Sequence, residues 1–509
     1  MKIKKRGIQL PMRIIINALI ILFEIVLLVV SAVRFSERFL GIYWIFQFIS
    51  IITVIYIINM RGNQSYKIMW IIFILLVPPI GALFYLLWGG GRMFLHLKKR
   101  MKRCTEKYFS YLPDDEETVS RLNYNDMIHS RQAEFLRKEA GLPVYGETTS
   151  KFYSPGEKFF PALLEELSKA EKYIYIEFFI LGNGYMWNQI FKILKEKAAS
   201  GVEIKVIFDD FGSINYQYKG FVARLKKYGI QVSAFNRISP ALDGFMNNRN
   251  HRKIVIIDGK VAVTGGINIS DEYINKIEKH GYWMDSAIII KGKAVNTFLA
   301  MFCSMWEFTT RKEIDFKEHL ADFPAENDGF YIPYCDDPLN DANPAEGIYM
   351  QILNNAQRYV YIATPYLILD NTMTNAICLA AKSGVDVKII TPSVPDKWYV
   401  HPVTQFYYSE LMDAGAEIYE YTPGFIHSKL FLSDDNVATV GTVNMDYRSF
   451  YFHFECGVWM SGNRTITDIK ENFESIISVS HKIEKEEWKK RPVWQKIKQG
   501  LLHLFAPFM

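Results

Sequence analysis

Two motifs of histidine, lysine, aspartate and asparagine with the same spacing lie in the two halves of this 509-residue chain. Each reads H-x-K-x4-D, and after six intervening residues each continues as G-[GT]-x-N. A single short match of this kind arises by chance in an occasional chain, whereas two matched copies with the same downstream residues do not. The copies consist of His251, Lys253, Asp258 and Asn268 in the first half and of His427, Lys429, Asp434 and Asn444 in the second.

The residue types in the two copies suit the transfer of a phosphate-linked group. Lysines and amide donors stabilise negative charge as it grows on the non-bridging oxygens of a phosphodiester, so the lysines and asparagines are candidate phosphate ligands. One neutral imidazole can attack phosphorus to form a phosphohistidine. A second, protonated imidazole can give its proton to the leaving alcohol and later activate the incoming one. Each half supplies one histidine, so we expect the active site at the interface between the halves.

Two further carboxylates are candidates for orienting the imidazoles, since a catalytic histidine needs such a partner. Glu455 lies eleven residues after Asn444, and Asp285 lies seventeen residues after Asn268. A buried structural ion pair is the alternative for both, because structural pairs also place carboxylates beside bases.

The motif aspartates fit a structural role better than a proton-carrying one. On a strand, residues two apart such as His251 and Lys253 face the same side, whereas Asp258 has the opposite parity. Asp258 is followed by glycine in a tight-turn dipeptide, and Asp434 lies in the turn-rich stretch 433–436. We therefore interpret both aspartates as turn residues that end a strand.

An internal repeat predicts the fold. Residues 170–179 resemble 356–365, and residues 199–207 resemble 382–390. In each copy a β-branched and aromatic run is followed by a helix-like stretch and a second β-branched run, which is β-α-β order. We therefore predict an α/β fold of two duplicated lobes, each a mainly parallel sheet flanked by helices.

The first ninety residues are much more apolar than the remainder and predict transmembrane helices. Three apolar runs, 14–33, 39–58 and 68–88, each have the length of about 20 residues that spans a bilayer. Basic clusters before the first run and at 92–103 both favour the cytoplasmic side, yet three full spans cannot place both there. We expect a multi-pass protein of the cell membrane with its globular part in the cytoplasm. A hairpin of buried core helices is the alternative.

These observations divide the chain into five parts. The C-terminal part is amphipathic, and it either lies in a membrane interface or packs onto the globular part. The parts are a membrane anchor at 1–90, a basic and then polar connector at 91–149, a first lobe at 150–325, a second lobe at 326–480 and the tail at 481–509.

Composition excludes several other classes of protein. The net charge of +5 is too small to indicate a nucleic-acid-binding protein by itself. The five cysteines include no C-x-x-C pair, which argues against a disulfide framework or a cysteine-rich zinc site. No cluster of histidine and carboxylate residues has the spacing of a metal-ligand set, so we predict a reaction that uses neither metal nor cofactor.

The paired motifs resemble those of the phospholipase D superfamily, whose hallmark is two H-x-K-x4-D sequences. The resemblance covers about residues 150–460. The stretch 444–450 and the apolar run that ends at 78–89 are more specifically similar to bacterial cardiolipin synthases. One departure is Gly266, where this family usually has serine, with Thr442 in the second copy.

The resemblance implies an activity, in which two phosphatidylglycerol molecules in a membrane become cardiolipin and glycerol. It also implies that His251 is the nucleophile and that His427 is the general acid and base. It counts Asp258 and Asp434 among the active-site residues, which strand parity does not support. A membrane-bound lipid hydrolase is the first alternative, a nuclease is less favoured, and a non-enzymatic scaffold conflicts with two complete motifs.

Overall fold

The computed structural model describes residues 40–509 apart from 61, 90–94, 217–219, 239–243, 321 and 340–342, together with isolated positions before residue 40. The predicted apolar run 14–33 therefore lies almost wholly outside the described residues.

Four helices follow one another in the N-terminal part. They are α1 (Leu40–Asn59), α2 (Gln64–Leu76), α3 (Pro78–Phe84), which continues into a π-helical turn (Tyr85–Gly89), and α4 (Leu95–Phe109). Within the part of the chain that the structure describes, no helix combines the length and apolar composition needed to cross a membrane.

The apolar run 68–88 is divided into two helices, which corrects the prediction of one continuous helix. Val77 has φ −136° and ψ 68°, outside the helical region, and Pro78 starts the next helix. Proline disfavours helical backbone in the residue before it, which accounts for the break. Helix α3 then folds back on α2, and a Cβ added at Gly81 would lie 2.7 Å from the Cα atom of Ile74.

The polar part of the connector, after α4, forms two helices that cover the second lobe. Helices α5 (Glu116–Asn125) and α6 (Met127–Ala140) begin at the capping side chains of Asp115 and Asp126. Buried Gln132 of α6 accepts a hydrogen bond of 3.0 Å from the indole of Trp459 in the second lobe.

The first lobe is a sheet with helices packed on it. Its strands are β1 (Thr148–Tyr153), β2 (Tyr173–Phe178), β3 (Glu203–Asp209), β4 (Gln231–Phe235), β5 (Arg249–Asn250), β6 (Lys253–Ile257), β7 (Val261–Gly265), β8 (Tyr282–Met284) and β9 (Ala287–Gly292). Its helices are α7 (Gly156–Ser168), α8 (Tyr185–Ala199), α9 (Asp210–Ser213), α10 (Phe221–Lys227), α11 (Val295–Thr310) and α12 (Phe316–His319), with 3₁₀ turns at Gly244–Asn247 and Asp271–Ile274. The sheet has the strand order β1-β9-β7-β6-β2-β3-β4.

The second lobe repeats this strand order. Its strands are β10 (Phe330–Asp336), β11 (Tyr359–Ala363), β12 (Asp386–Pro392), β13 (Glu417–Tyr421), β14 (Gly424–Ile426), β15 (Leu430–Ser433), β16 (Val437–Gly441), β17 (His453–Ser461) and β18 (Ser480–Lys482). Its helices are α13 (Pro344–Asn355), α14 (Asn371–Lys382), α15 (Val400–Ala414), α16 (Tyr447–Tyr451) and α17 (Thr465–Ser478). The order is β10-β17-β16-β15-β11-β12-β13, and β18 adds one more edge strand.

The sheets are mixed, so the prediction of mainly parallel sheets is wrong. In each lobe the three strands around the predicted β-α-β repeat, β2–β3–β4 and β11–β12–β13, are parallel. The remaining pairs are antiparallel, including β6–β7 and β15–β16. These last two pairs join across the tight turns at Asp258 and Asp434, and a short turn can only connect antiparallel neighbours.

The two lobes share a hydrophobic core. Helix α11 is buried along nearly its whole length, and one cluster of buried side chains joins residues of both sheets, among them Ile254 and Ile288 of the first and Leu430 and Val440 of the second. A helix that is apolar on all sides is expected where it is covered on all sides. The shared core fixes the position of one lobe against the other.

The C-terminal tail packs onto the second lobe through one face only. It forms α18 (Lys485–Lys489), α19 (Val493–His503) and a 3₁₀ turn at Ala506–Phe508. The imidazole of His503 stacks on Phe406 with 4.0 Å between ring centroids. Trp494, Ile497 and Leu501 on the opposite face are exposed. The tail therefore contacts the lobe and also presents an apolar surface.

Candidate active site at the lobe interface

Short strand pairs cross from each lobe to the other beside the two motif histidines. Strand β5 pairs in parallel with the start of β17, and β8 pairs in parallel with β14. The backbone N–H of His251 donates to the carbonyl of Phe454 at 2.9 Å, and that of His427 donates to the carbonyl of Met284 at 2.7 Å. The backbone of each histidine is thus bonded to a strand of the other lobe. In both cases the accepting residue directly precedes a predicted orienting carboxylate.

The carboxylates and histidines pair across the lobes. Nδ1 of His251 lies 2.8 and 2.9 Å from the two carboxylate oxygens of Glu455. Nδ1 of His427 lies 2.7 Å from Oδ2 of Asp285. All four side chains are buried. The structure therefore brings together both histidines with both predicted orienting residues, and each acid serves the histidine of the opposite lobe.

Each carboxylate is itself held by hydrogen bonds. Glu455 accepts a bond of 2.8 Å from the hydroxyl of Ser449 and a short one from the hydroxyl of Thr442. Asp285 accepts from the backbone N–H of Ser286 at 2.7 Å. A Cβ added at Gly266 would lie 2.1 Å from Oδ1 of Asp285. Glycine at this position therefore makes room for the shorter acid.

The surroundings of both imidazoles favour their neutral forms near pH 7. Burial, followed by the charges of Lys253 and Lys429, holds the pKa of His251 well below its usual range. Burial and the charge of Lys429 lower the pKa of His427 to about 4. Because Nδ1 of each ring faces a carboxylate, Nε2 is the atom that remains for chemistry.

The two motif lysines lie beside the histidines, where they can bind an anion. Nζ of Lys253 donates to the carbonyl of His251 at 2.8 Å, and Nζ of Lys429 donates to the carbonyl of His427. Nζ of Lys429 also lies 2.9 Å from Nδ1 of His427. Burial lowers the pKa of Lys253 to about 8 and that of Lys429 to about 7. A bound phosphate would supply the negative charge that restores their protonated form.

The two motif asparagines differ in their contacts. Asn268 is occupied, since its amide oxygen accepts from the N–H of Ile180 at 3.1 Å and its amide nitrogen donates to the hydroxyl of Tyr273 at 2.8 Å. Asn444 is buried, and its amide oxygen has no hydrogen-bond partner among the described residues. That oxygen is an acceptor, so either asparagine would contact a phosphate through an N–H of its amide, of which Asn268 uses one for Tyr273.

The contacts of the motif aspartates match the structural interpretation of Asp258 and Asp434. Asp258 has φ 54° and accepts from the backbone N–H groups of Glu171, Lys172 and Tyr173, each at 2.8 Å. Asp434 accepts in the same way from three consecutive N–H groups at residues 357–359. Each aspartate ties the far end of its motif strand to the neighbouring strand, away from the histidine.

His453 is a site residue that sequence reasoning missed. It lies two residues before Glu455 on β17 and so faces the same side. Its ring centroid lies 5.5 Å from that of His251, and its Nδ1 lies 3.6 Å from Glu455. Burial lowers its pKa to about 4. Strand parity relative to Glu455 was the available signal.

The same three residues are the candidate metal ligands in the described part of the chain. The ligand atoms of His251, His453 and Glu455 lie within 4.8 Å of one another, and two histidines with one glutamate form a ligand set known for zinc. A divalent cation there would displace the hydrogen bond from His251 to Glu455. It would also meet the positive charge of Lys253 and Lys429, which already act on His251.

Two α/β lobes that share one pair of H-x-K motifs define a phospholipase D-like protein, and comparisons with known proteins specify the family. A family model for "Cardiolipin synthase, PLD-like domain" matches residues 163–306 and 349–477. A model for "Phospholipase_D-nuclease N-terminal" matches residues 48–90. The chain belongs to the cardiolipin synthase family of phospholipase D-like proteins.

Individual relatives match over nearly their whole length. Cardiolipin synthases from Staphylococcus aureus and Geobacillus thermodenitrificans are each 30% identical, covering 94% and 97% of this chain and 98% and 99% of their own. An uncharacterised protein from Streptococcus mutans is 39% identical over 90% of this chain and 99% of its own. The crystal structure of a phosphatidylserine synthase from Haemophilus influenzae shares the fold, with a TM-score of 0.56 and 15% identity over 74% of this chain and 97% of the other.

Replacing an orienting carboxylate by its amide tests the crossed pairing. We expect Glu455→Gln and Asp285→Asn each to lower kcat by about 10²- to 10⁴-fold, because the imidazole loses the partner that fixes its tautomer. The matched variant Asp258→Asn is expected to lower Tm, since its carboxylate holds backbone N–H groups. Its loss of kcat should be much smaller than that of Glu455→Gln. Steady-state kinetics and thermal melting measure both quantities. Equal losses of kcat in Asp258→Asn and Glu455→Gln would contradict the assignment.

Anion binding tests the charge state of the lysines. Sulfate, which has no titrating proton near neutrality, is expected to bind with net uptake of protons at pH 7.5, because it raises the depressed pKa of Lys429. Its affinity should fall by up to about ten-fold per pH unit above pH 8. Calorimetry in two buffers of different ionisation enthalpy measures the uptake, and Lys429→Met should remove most of it. Binding without proton uptake by the wild type would show that the lysines are already charged.

Proposed function

We propose that the protein is a cardiolipin synthase that transfers a phosphatidyl group between two phosphatidylglycerol molecules through a phosphohistidine. The carrying observation is the crossed arrangement of His251 with Glu455 and His427 with Asp285. It provides two oriented imidazoles, one to attack phosphorus and one to carry a proton, and two lysines in one buried site, which is the set of groups that phosphatidyl transfer requires.

In the first step, Nε2 of His251 attacks the phosphorus of one phosphatidylglycerol. The N–P bond forms as the bond from phosphorus to the glycerol headgroup oxygen breaks, and His427 gives that oxygen its proton. A phosphate anion beside His427 raises the depressed pKa of the ring, so the histidine can carry a proton once substrate is bound. The positive charge that develops on the His251 ring is stabilised by Glu455.

In the second step, His427 removes the proton from a hydroxyl of the second phosphatidylglycerol. The resulting oxygen attacks phosphorus, the N–P bond breaks, and cardiolipin is released with His251 restored. Lys253 and Lys429 are the groups we assign to the non-bridging oxygens in both steps. Transfer to lipid rather than to water requires that water is kept from the phosphohistidine, and the burial of all four residues favours this.

An assay in phosphatidylglycerol vesicles tests the proposal. Cardiolipin, phosphatidic acid and glycerol are followed together for the wild type, His251→Ala and His427→Ala. We expect cardiolipin and glycerol in equal amounts from the wild type and none from either variant. Rapid quenching should trap labelled phosphatidyl enzyme in the wild type and lose it in His251→Ala. Phosphatidic acid with little cardiolipin would instead show a lipid hydrolase.

The same proposal includes attachment to the cell membrane through residues 1–90, as a multi-pass anchor with the lobes in the cytoplasm. Residues 64–84 begin and end near the second lobe and its tail, because Asn63 bonds to Asp370 and Phe84 lines one cavity together with Tyr447 and Phe508. The third apolar run then need not cross. The basic residues before the first run and those at 92–103 can in that case lie on one side, as their charge favours.

Labelling of single cysteines in intact cells tests this arrangement. Cysteines introduced as Lys4→Cys and Lys102→Cys are expected to react only after the cells are permeabilised, because both sites lie on the cytoplasmic side. Four of the five native cysteines are buried, and Cys335 is partly buried, so background labelling is low. Reaction of either site with an impermeant reagent in intact cells would overturn the topology.

A further inference from the structure

The short helix α16 links the active site to the N-terminal part of the chain. At its inner side, the hydroxyl of Ser449 donates to Oε1 of Glu455 at 2.8 Å and accepts from the backbone N–H of Asn444 at 3.1 Å. The same glutamate orients His251. The position of α16 therefore bears on the position of the carboxylate that holds the proposed nucleophile.

The other end of α16 lies in a buried cluster of acids. The hydroxyl of Tyr451 lies 3.0 and 3.1 Å from the two carboxylate oxygens of Glu346 and 3.2 Å from Oδ2 of Asp370. Burial and the neighbouring Asp370 raise the pKa of Glu346. Two carboxylates this close need hydrogen-bond donors to remain buried, and Tyr451 supplies only one proton.

Asn343 donates to Glu346 at 3.4 Å, and the backbone N–H of Met373 donates to Asp370 at 2.8 Å. A further donor comes from the turn between α1 and α2. The amide nitrogen of Asn63 donates to Oδ2 of Asp370 at 3.1 Å and lies 3.3 Å from the hydroxyl of Tyr451. Its amide oxygen caps α2 by accepting from the N–H groups of Ser65 and Tyr66. One side chain thus both starts α2 and bonds to the acid cluster at the end of α16.

Aromatic contacts support the same junction. The ring of Tyr66 lies 6.1 Å from that of Phe452 and 6.2 Å from that of Phe508, measured between centroids. Phe452 directly follows α16, and its carbonyl accepts a hydrogen bond from Asn248 of the first lobe at 3.0 Å. The start of α2 therefore contacts Phe452, the residue through which the end of α16 bonds to the first lobe.

We infer that the turn between α1 and α2 is a positioning element of the active site, which acts through Asn63, Tyr451 and α16 on Glu455 and His251. The N-terminal part then does more than attach the lobes to a membrane, because its docking sets the orientation of the nucleophile. The expected effect on kcat rests on the proposed function, whereas the expected effect on the structure around α16 does not.

Exchanging the donor and the acceptor at the junction tests the inference. Asn63→Asp keeps an oxygen that caps α2 but removes the amide donor and places a third carboxylate beside Asp370. We expect kcat on a short-chain, monomeric phosphatidylglycerol to fall by about ten-fold, less than the roughly 10²-fold that a misplacement of about 1 Å can cost, with KM nearly unchanged. Asp370→Asn in the same chain returns a donor to the pair and should restore most of kcat.

Asn59→Asp is the matched control, since Asn59 is exposed at the end of α1 and, among the residues that the structure describes, its amide bonds only to the carbonyl of Ile55. It introduces the same charge four residues away and should retain wild-type kcat. A short-chain substrate removes any effect of membrane binding. Wild-type kcat in Asn63→Asp, or no recovery on adding Asp370→Asn, would overturn the inference.

Hydrogen exchange gives a measurement that does not depend on activity. Backbone amides of residues 444–452 should exchange faster in Asn63→Asp than in the wild type or in Asn59→Asp, and the double variant should return towards wild-type exchange. Unchanged exchange in Asn63→Asp would overturn the inference even if the wild type made no cardiolipin. Absence of cardiolipin with the expected exchange pattern would instead count against the proposed function alone.

Discussion

Each imidazole in this protein is oriented by a carboxylate from the other lobe, and most of the architecture serves that requirement. Neither lobe alone contains a motif histidine together with the carboxylate bonded to it, so the site exists only when the lobes are fixed against each other. The shared core around α11 and the short cross-lobe strand pairs beside both histidines provide that fixation. A displacement of one lobe would weaken both pairs at once.

Cations and anions are buried together in the site, since Glu455 and Asp285 act on both Lys253 and Lys429. Two lysines and two histidines are withdrawn from water, and burial lowers the pKa of all four. Desolvated cations are unfavourable unless an opposite charge compensates them. In the reaction that we propose, a phosphodiester adds negative charge beside these groups, which raises the pKa of His427 and allows it to act as an acid. Binding of substrate and preparation of the acid are therefore the same event.

The sequence allowed the motif residues, the duplicated α/β lobes and both orienting acids to be predicted, because each is carried by a local pattern. Strand pairing was mispredicted, since the β-α-β repeat covers only the three parallel strands of each sheet. The crossed pairing could not be predicted, because residues 251 and 455 are distant in sequence. The alternation of side chains along a strand predicts the face of the sheet on which a residue lies, but not which residue of the other lobe contacts it. The bond of Asn268 to Tyr273 also depends on tertiary structure, and the role of Asn268 as a phosphate ligand stays a prediction.

Duplication with local divergence explains how two similar halves can do different chemistry. At the position two residues before the orienting acid, the first lobe has Trp283 and the second has His453. The indole packs 5.4 Å from His427, and the imidazole lies 5.5 Å from His251. Thr442 supports Glu455, whereas Gly266 only makes room for Asp285. Both histidines have an aromatic neighbour, since Phe179 packs 5.0 Å from His251. The two settings therefore differ in the second imidazole and the Thr442 hydroxyl on the side of His251, which suit the charged intermediate that we propose there.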